Sequence, residues 1–425
     1  MELNQELIAI TPQVSSGNLH ESMMDICGIG NRWVGTSGEE QAIEYMQSKM
    51  KFMTHELLME EYSYPLYAPE LASLIVRHPV KKSIDCVGAE YAENGSVEGR
   101  LIYVGEGSSG DFATLLKAGV EFKDVVVLAR SNRPYVVCRE GAKWGAVGAI
   151  LISDSPFNTI RQITSQMGFE KGADLMKFGA PIPAVIVGRD SGEHLASLAS
   201  AGPVEVKIMH SSSVKLKQSY NVIGYVHGRD KPQEQVIIGA HYDTQQEIEG
   251  AWDNASGCAA LLEIMRVCST TKPKRTMVFC AFGGEEIGLF GSTHFVQGRE
   301  KELANIIGYI NLDSTSADMC YIHELLVTKG MKDFALGVIK ENTNWWINQF
   351  REYTPLDHEQ DSAEFVKCGV NAIWAHEEGN PYFHTKYDTL ATINPAKHAL
   401  ATRVALLPFF YLANVEDVSF TEAGR

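Results

Sequence analysis

Residues 235–243, Gln-Val-Ile-Ile-Gly-Ala-His241-Tyr-Asp243, decide how the rest of the chain is read. From Val236 to Ala240 there is no charged side chain, as expected of a strand covered on both faces, and the run then ends on an imidazole and a carboxylate. Outward from it, residues 254–270 (NASGCAALLEIMRVCST) place Ala260, Leu261, Ile264, Met265 and Cys268 on one helical side. Asn254 stands where a cap belongs. Three further runs are as apolar as the first: TMVFCAF at 276–282, IIGYINL at 306–312 and VNAIWAH at 370–376. Strands alternating with amphipathic helices imply an α/β fold, an open and largely parallel sheet wrapped by helices. In such sheets the site lies beyond the carboxyl ends of the strands.

Those ends carry metal-ligand residue types. His241 and Asp243 close the first strand, and Asp253-Asn254 follow in the loop before the helix. Glu285-Glu286 come after the second strand, Asn311 and Asp313 end the third, and Phe383-His384-Thr385 with Asp388 follow the fourth. Taken singly, each reads as a cap or a solvated polar group. Four consecutive core strands delivering imidazole or carboxylate to one rim read as a site. Carboxylates gathered at one point repel one another, so a cation should hold them together. Asp253, Glu286 and Asp313, with one hydroxide, balance two divalent ions. The mixed N/O donor set suits two Zn²⁺, with cobalt or manganese as substitutes.

Composition removes several alternatives. The 425 residues suggest two or three domains. With 45% hydrophobic and 21% charged residues, a disordered or fibrous chain is excluded. A net charge of −16 argues against a nucleic-acid-binding surface. The opening MELNQELIAITPQVSSG lacks a basic and an apolar signal region, and no window offers a continuous apolar membrane span. A cytoplasmic location is therefore expected, with the eight scattered cysteines read as reduced and buried. There is no H-E-x-x-H and no G-x-S-x-G, so two common hydrolase designs have no support. His294, His323, His358 and His376 are expected in packing or surface roles.

Two helical patterns, LHESMMDICGI and GEEQAIEYMQSKMKFM, open the chain. A region dense in Gly and Val follows, with strands GRLIYVG, DVVVLAR, GAILIS and PAVIVG and two short helices, REGAKWGA and GEHLASLAS. The division expected is 1–90 as the first part of a catalytic domain, 91–212 as an insert, and 213–425 as the main catalytic part.

The ordered string H-x-D, D-N-x-S-G, E-E-x-G, N-x-D, H-T-x-x-D-T resembles the co-catalytic di-zinc exopeptidases. That family includes bacterial leucyl aminopeptidases, plasma glutamate carboxypeptidase and the peptidase-like ectodomain of the transferrin receptor. The resemblance implies a mixed, largely parallel sheet in an α/β/α sandwich, with the Gly/Val-rich insert similar to a protease-associated domain. It assigns His241 and Asp313 to one zinc, Glu286 and His384 to the other, and Asp253 to both. Glu285 would be the base for a water activated between the ions. Asp243 would support His241, and Asp388 would support His384. A cis peptide bond at Asp253–Asn254 is also implied. Where relatives carry a tyrosine before the last histidine, this chain has Phe383, so oxyanion help would fall to zinc or to Tyr382.

The implied function is a zinc-dependent exopeptidase of aminopeptidase type, acting on a peptide or small amide, with no nucleic-acid or membrane partner and with a homodimer as a candidate assembly. A carboxypeptidase would need a cation such as Arg351 for the terminal carboxylate. An amidohydrolase would use the same chemistry. A retired binding protein or a one-zinc cyclotransferase would have lost ligands that are all present here. The insert would act as a lid, or as a spacer and dimer surface.

Overall fold

The structure, a computed structural model, describes residues 2–131, 133–155, 158–160, 179–320, 322–342, 349–353, 360–418 and 420. In chain order its elements are α1 (Glu2–Ile10), α2 (Ser16–Ile29), α3 (Ser37–Met50), β1 (Glu56–His78), β2 (Lys82–Ile84), β3 (Cys86–Gly88) and β4 (Gly95–Tyr103). Then come α4 (Ser109–Lys117), β5 (Val125–Arg130), α5 (Pro134–Lys143), β6 (Gly148–Ile152), β7 (Ala184–Val187), α6 (Arg189–Ala201) and β8 (Glu205–Val226). The rest comprises β9 (Lys231–His241), α7 (Ser256–Cys268), β10 (Arg275–Phe282), α8 (Phe290–Gly298), β11 (Ile306–Leu312) and β12 (Ile322–Val327). It ends with α9 (Lys332–Asn342), β13 (Gln349–Glu352), α10 (Ser362–Lys367), β14 (Ala372–Glu378) and α11 (Pro395–Asn414).

Two compact units divide the chain: Met1–Ser63 with Gln218–Arg425, and Tyr64–Lys217. In the first, the strand order is β13-β12-β14-β11-β9-β10-β8. β10, β9, β11 and β14 run parallel, while β8 pairs antiparallel with β10 and β12 with β14. The four apolar runs of the sequence fall on these parallel strands. Alternate side chains go to opposite faces, and both faces are covered. Val236, Ile238, Met277, Phe279 and Ile310 share one core with α2, α7 and α11. Ile237, Val278, Cys280, Phe282 and Tyr309 share another with Phe295 of α8 and Phe365 of α10. That double coverage is why these strands show no polar alternation.

The second unit orders its strands β8-β4-β5-β6-β7-β3, with β4 to β7 parallel and β1 pairing β2. It begins at Tyr64, well before residue 91, because the second half of the 23-residue β1 pairs with β2 inside it. It also holds α4, a helix beyond the two expected there. The signal was present as a capping box, in which Ser108 and Asp111 satisfy each other's backbone N–H. Among the described residues no helix is long and apolar enough to cross a membrane.

Candidate metal centre

Because β9, β10, β11 and β14 are parallel, their carboxyl ends meet at one edge. His241 is the last residue of β9, and Asp313 directly follows β11. Glu285 and Glu286 follow β10 across Gly283-Gly284, and His384 follows β14 with a left-handed φ of 55°. Asp253 lies in the loop between β9 and α7, next to a cis peptide bond to Asn254. The amide of Asn254 ties this loop to the neighbouring strand end. It donates to Leu312 O at 2.9 Å, while its oxygen accepts from Gly257 N at 2.9 Å and Ser314 N at 3.3 Å. The approach demands glycine at 257, where a Cβ would stand 2.3 Å from both the Asn254 oxygen and Leu312 O.

The five donors form two clusters that share one carboxylate. His241 Nε2 lies 3.1 Å from Asp253 Oδ1 and 3.3 Å from Asp313 Oδ1. His384 Nε2 lies 3.0 Å from Asp253 Oδ2 and 3.1 Å from Glu286 Oε2. Each trio of donor atoms fits within 4.8 Å, and each oxygen of Asp253 faces a different trio. Bonds of about 2.0–2.1 Å to a tetrahedral ion place adjacent donors roughly 3.3 Å apart. All five residues are nearly or wholly withdrawn from solvent except His384, which is half-buried.

Electrostatics points the same way. Burial opposes charge on His241, yet the carboxylates of Glu285 and Asp313 raise its pKa well above the usual imidazole value. His384, half-buried, is pushed up to about 10 by Glu286 and Asp253 against the opposing effect of its desolvation. Asp253 is buried too, but the two imidazoles hold its carboxyl well below the usual range. Burial drives Glu285 well above it, and Asp313 and Glu286 add to the shift. Without a cation, the donors would draw protons onto both imidazoles. Divalent ions answer the same negative potential.

Residues 221–407 match the model of Peptidase family M28. Over this segment, somewhat under half of its length, the chain is similar to peptidase family M28. "Aminopeptidase YwaD" of Bacillus subtilis is 25% identical over 378 residues, covering 86% of this chain and 78% of that protein. "Aminopeptidase NAALADL1" of Mus musculus is 27% identical over 297 residues, covering 53% of this chain and only 40% of the mouse protein. The solved structure of BSAP, a zinc aminopeptidase from Bacillus subtilis, superposes with a TM-score of 0.72 at 20% identity, covering 96% of this chain and 97% of that one. At that identity the superposition speaks for the fold.

The supporting residues of the M28 segment are placed partly as expected. Asp243 stands beside His241, with Oδ1 3.6 Å from Nδ1, but the ring nitrogen bonds the backbone carbonyl of Asp243 at 3.2 Å. The Asp243 carboxylate instead accepts the N–H groups of Glu285 and Glu286 at 3.3 and 3.2 Å, fixing the turn that bears both glutamates. Asp388 does not serve His384. Its two oxygens accept from Trp252 N at 2.8 Å and Asp253 N at 3.1 Å, so it holds the loop of the shared carboxylate. Burial pushes its carboxyl up to about 7 despite those donors.

Tyr382 packs its ring 6.0 Å from that of Tyr387, and its carbonyl caps Thr385. Phe383 lies edge-on to Trp252, with centroids 5.6 Å apart. Arg351 is not gathered at the centre either. Its Nε and Nη2 each lie 3.3 Å from a Glu324 oxygen, and Nη2 is 4.0 Å from Glu378. A third group of candidate donors, Glu324, His376 and Glu378, thus already has a guanidinium as its cation. His376 bonds Glu324 at 2.9 Å and stacks on Trp374, and His323 pairs with Glu377 at 3.2 Å. His294 packs near Tyr62. His358 lies outside the described residues.

Three contributors escaped the sequence reading. Gln245 donates to Glu286 Oε2 at 3.0 Å, and Ser314 donates to Asp313 Oδ1 at 3.0 Å. Both fall within two residues of a motif position, which was the available signal. Asp361 is fully buried near Asp313 and Asp243, and burial raises its carboxyl to about 7. Nothing in its local sequence marks it.

Proposed function

We propose that this chain is a two-metal exopeptidase, zinc-dependent and of aminopeptidase type. The observation that carries the reading is Asp253, one oxygen toward His241 and Asp313 and the other toward His384 and Glu286. These five side chains would hold the two ions. Bound there, divalent zinc would acidify a water and polarise the scissile carbonyl.

Glu285 is the proton carrier. It is buried beside His241, its backbone is pinned by Asp243, and burial favours its protonated form, so it can take a proton and return it to the departing amine. Asp243 orients the Glu285-Glu286 turn, and Asp388 orients Asp253. Gln245 holds the Glu286 carboxylate in place. Arg351, engaged by Glu324, is not available to grip a terminal carboxylate, which favours action at the amino end. We read the unit Tyr64–Lys217 as the protease-associated insert, and the eight unpaired cysteines as fitting a reducing, cytoplasmic setting.

The test is a panel of aminoacyl, N-blocked and C-terminally free peptides, assayed with and without a chelator. Hydrolysis of free-amine substrates only, abolished by phenanthroline and restored by zinc or cobalt, is the expected outcome. Turnover indifferent to the chelator would defeat the metal reading, and cleavage of N-blocked peptides would defeat the aminopeptidase reading.

A further inference from the structure

One fully buried cation stands against the loop that carries Asp253. Arg32 follows α2, and its side chain is completely excluded from solvent. Its Nε donates to Tyr242 O at 2.8 Å and its Nη2 to Gly250 O at 2.9 Å. Its Nη1 reaches Glu249 O at 2.7 Å and Gly30 O at 3.3 Å. Its own backbone N–H donates to Thr244 Oγ1 at 3.0 Å, and the neighbouring Asn31 accepts from Glu247 N at 3.2 Å. Three of the four carbonyls held by the guanidinium belong to the stretch between His241 and Asp253.

The acceptors of these bonds are peptide oxygens, so the charge orders backbone rather than pairing a carboxylate. Gly250 is the pivot. It has a left-handed φ of 60°, and its carbonyl also accepts from Ala255 N at 3.0 Å, closing the turn around Asp253. A Cβ at 250 would meet Thr244 Cγ2 at 2.3 Å and Asp253 O at 2.4 Å. Arg32 thus takes the carbonyls of the loop, while Asp388 takes the N–H groups of Trp252 and Asp253 beyond it. With both ends held, the direction of the Asp253 carboxylate is set. A planar fork of donors can span carbonyls of separate residues at once, whereas a lysine ammonium presents a single point.

We propose that Arg32 is a positioning residue of the metal centre, one that fixes the 242–253 loop and thereby aims Asp253 at both ions. The proposal rests on the reading of Asp253 as the shared ligand.

The experiment measures zinc stoichiometry and affinity by competition with a chromophoric chelator, alongside melting temperature, kcat and KM. It compares the metal-loaded wild-type chain with Arg32→Lys, Arg32→Met and a stability control, Leu407→Ala, in the buried part of α11. Expected for both Arg32 variants is a 10- to 100-fold loss of zinc affinity, as for supports of metal ligands, with kcat falling and KM nearly unchanged. Leu407→Ala should melt earlier yet hold zinc within two-fold of wild type. In Arg32→Gly, added methylguanidinium should restore zinc affinity.

Wild-type affinity in Arg32→Lys overturns the proposal, even if Arg32→Met fails to fold. So does a loss of affinity in Leu407→Ala matching that of the Arg32 variants, which would make the effect one of stability alone. Fewer than two zinc ions in the wild type would instead overturn the two-metal reading itself.

Discussion

Replacing Asp388 by asparagine removes one acceptor oxygen and turns an amide N–H₂ toward a backbone N–H. The carboxylate is wholly buried and accepts from Trp252 N at 2.8 Å and Asp253 N at 3.1 Å. A hydrogen bond to a charged acceptor contributes about 1.5–3 kcal/mol, and a buried donor left unpaired costs about 1–3 kcal/mol. Since asparagine keeps one acceptor, a net loss of about 2–3 kcal/mol is expected, or a fall of roughly 4–5 °C in Tm for a unit of this size. The loop also aims a metal ligand, so zinc affinity should drop about 10- to 100-fold. At saturating zinc concentrations referred to the wild-type Kd, that adds about 1.4–2.8 kcal/mol to the loss in the holo form. The assay is paired melting of apo and zinc-loaded protein at pH 8, where the Asp388 carboxyl, raised by burial to about 7, is ionised. An equal fall in both forms would separate the loop from the metal centre. No fall in either would refute the bracing role.

Glu285→Ala should retain both zinc ions and lose two or more decades of kcat, as for a missing general base; loss of a zinc equivalent by elemental analysis would exchange its role with that of a ligand. Arg351→Gln should leave kcat and KM on aminoacyl substrates within two-fold while lowering stability by about 1–3 kcal/mol, because buried Glu324 loses a partner. A tenfold rise in KM confined to substrates with a free carboxylate would revive the carboxypeptidase reading. His398 is buried with Nε2 donating to Ser256 O at 2.8 Å, and burial lowers its pKa to about 4. The unfolded chain therefore takes up this proton first as pH falls. The neutral ring contributes about 3 kcal/mol that is complete above pH about 6.5 and is lost as pH approaches 4. Melting curves from pH 7 to 4 should fall more steeply in the wild type than in His398→Gln, and equal slopes would reject the argument.

The sheet was legible because its strands are buried on both faces and tolerate almost nothing polar. The last residues of those strands then stood out by contrast: His241, Asp313 and the Glu285-Glu286 pair were visible as breaks in apolar runs. Beyond Gln245, Ser314 and Asp361, the braces of the centre act through backbone. Arg32 is a lone basic residue in Gly-Asn-Arg-Trp-Val, and three of the four carbonyls its side chain holds are more than two hundred positions away, which no side-chain pattern records. Asp388 was visible as a motif residue, but its direction was misjudged, because motif spacing says nothing about which N–H a carboxylate will meet. The limits of the second unit were obscured for a related reason. β1 runs without a break past Ser63–Tyr64 and β8 past Lys217–Gln218, where one unit gives way to the next, so no interruption of the strand pattern marks either limit.

The division of labour at the centre follows from charge. Among the described residues, the carboxylates proposed as ligands face two imidazoles. The nearby guanidinium of Arg32 is directed at carbonyls. Had Arg32 paired with Asp253 directly, that carboxylate would be neutralised and would have little left to offer an ion, as Glu324 is beside Arg351. By ordering the loop through its peptide oxygens, the same cation stiffens the site without competing for the ligand. The Asp388 carboxylate does the complementary thing with the N–H groups, so neither brace consumes the charge that the ions require. The negative potential at the strand ends is therefore left for protons or divalent metal. Because the donors are already arranged about Asp253, metal binding calls for little rearrangement of the chain beyond release of the protons it displaces.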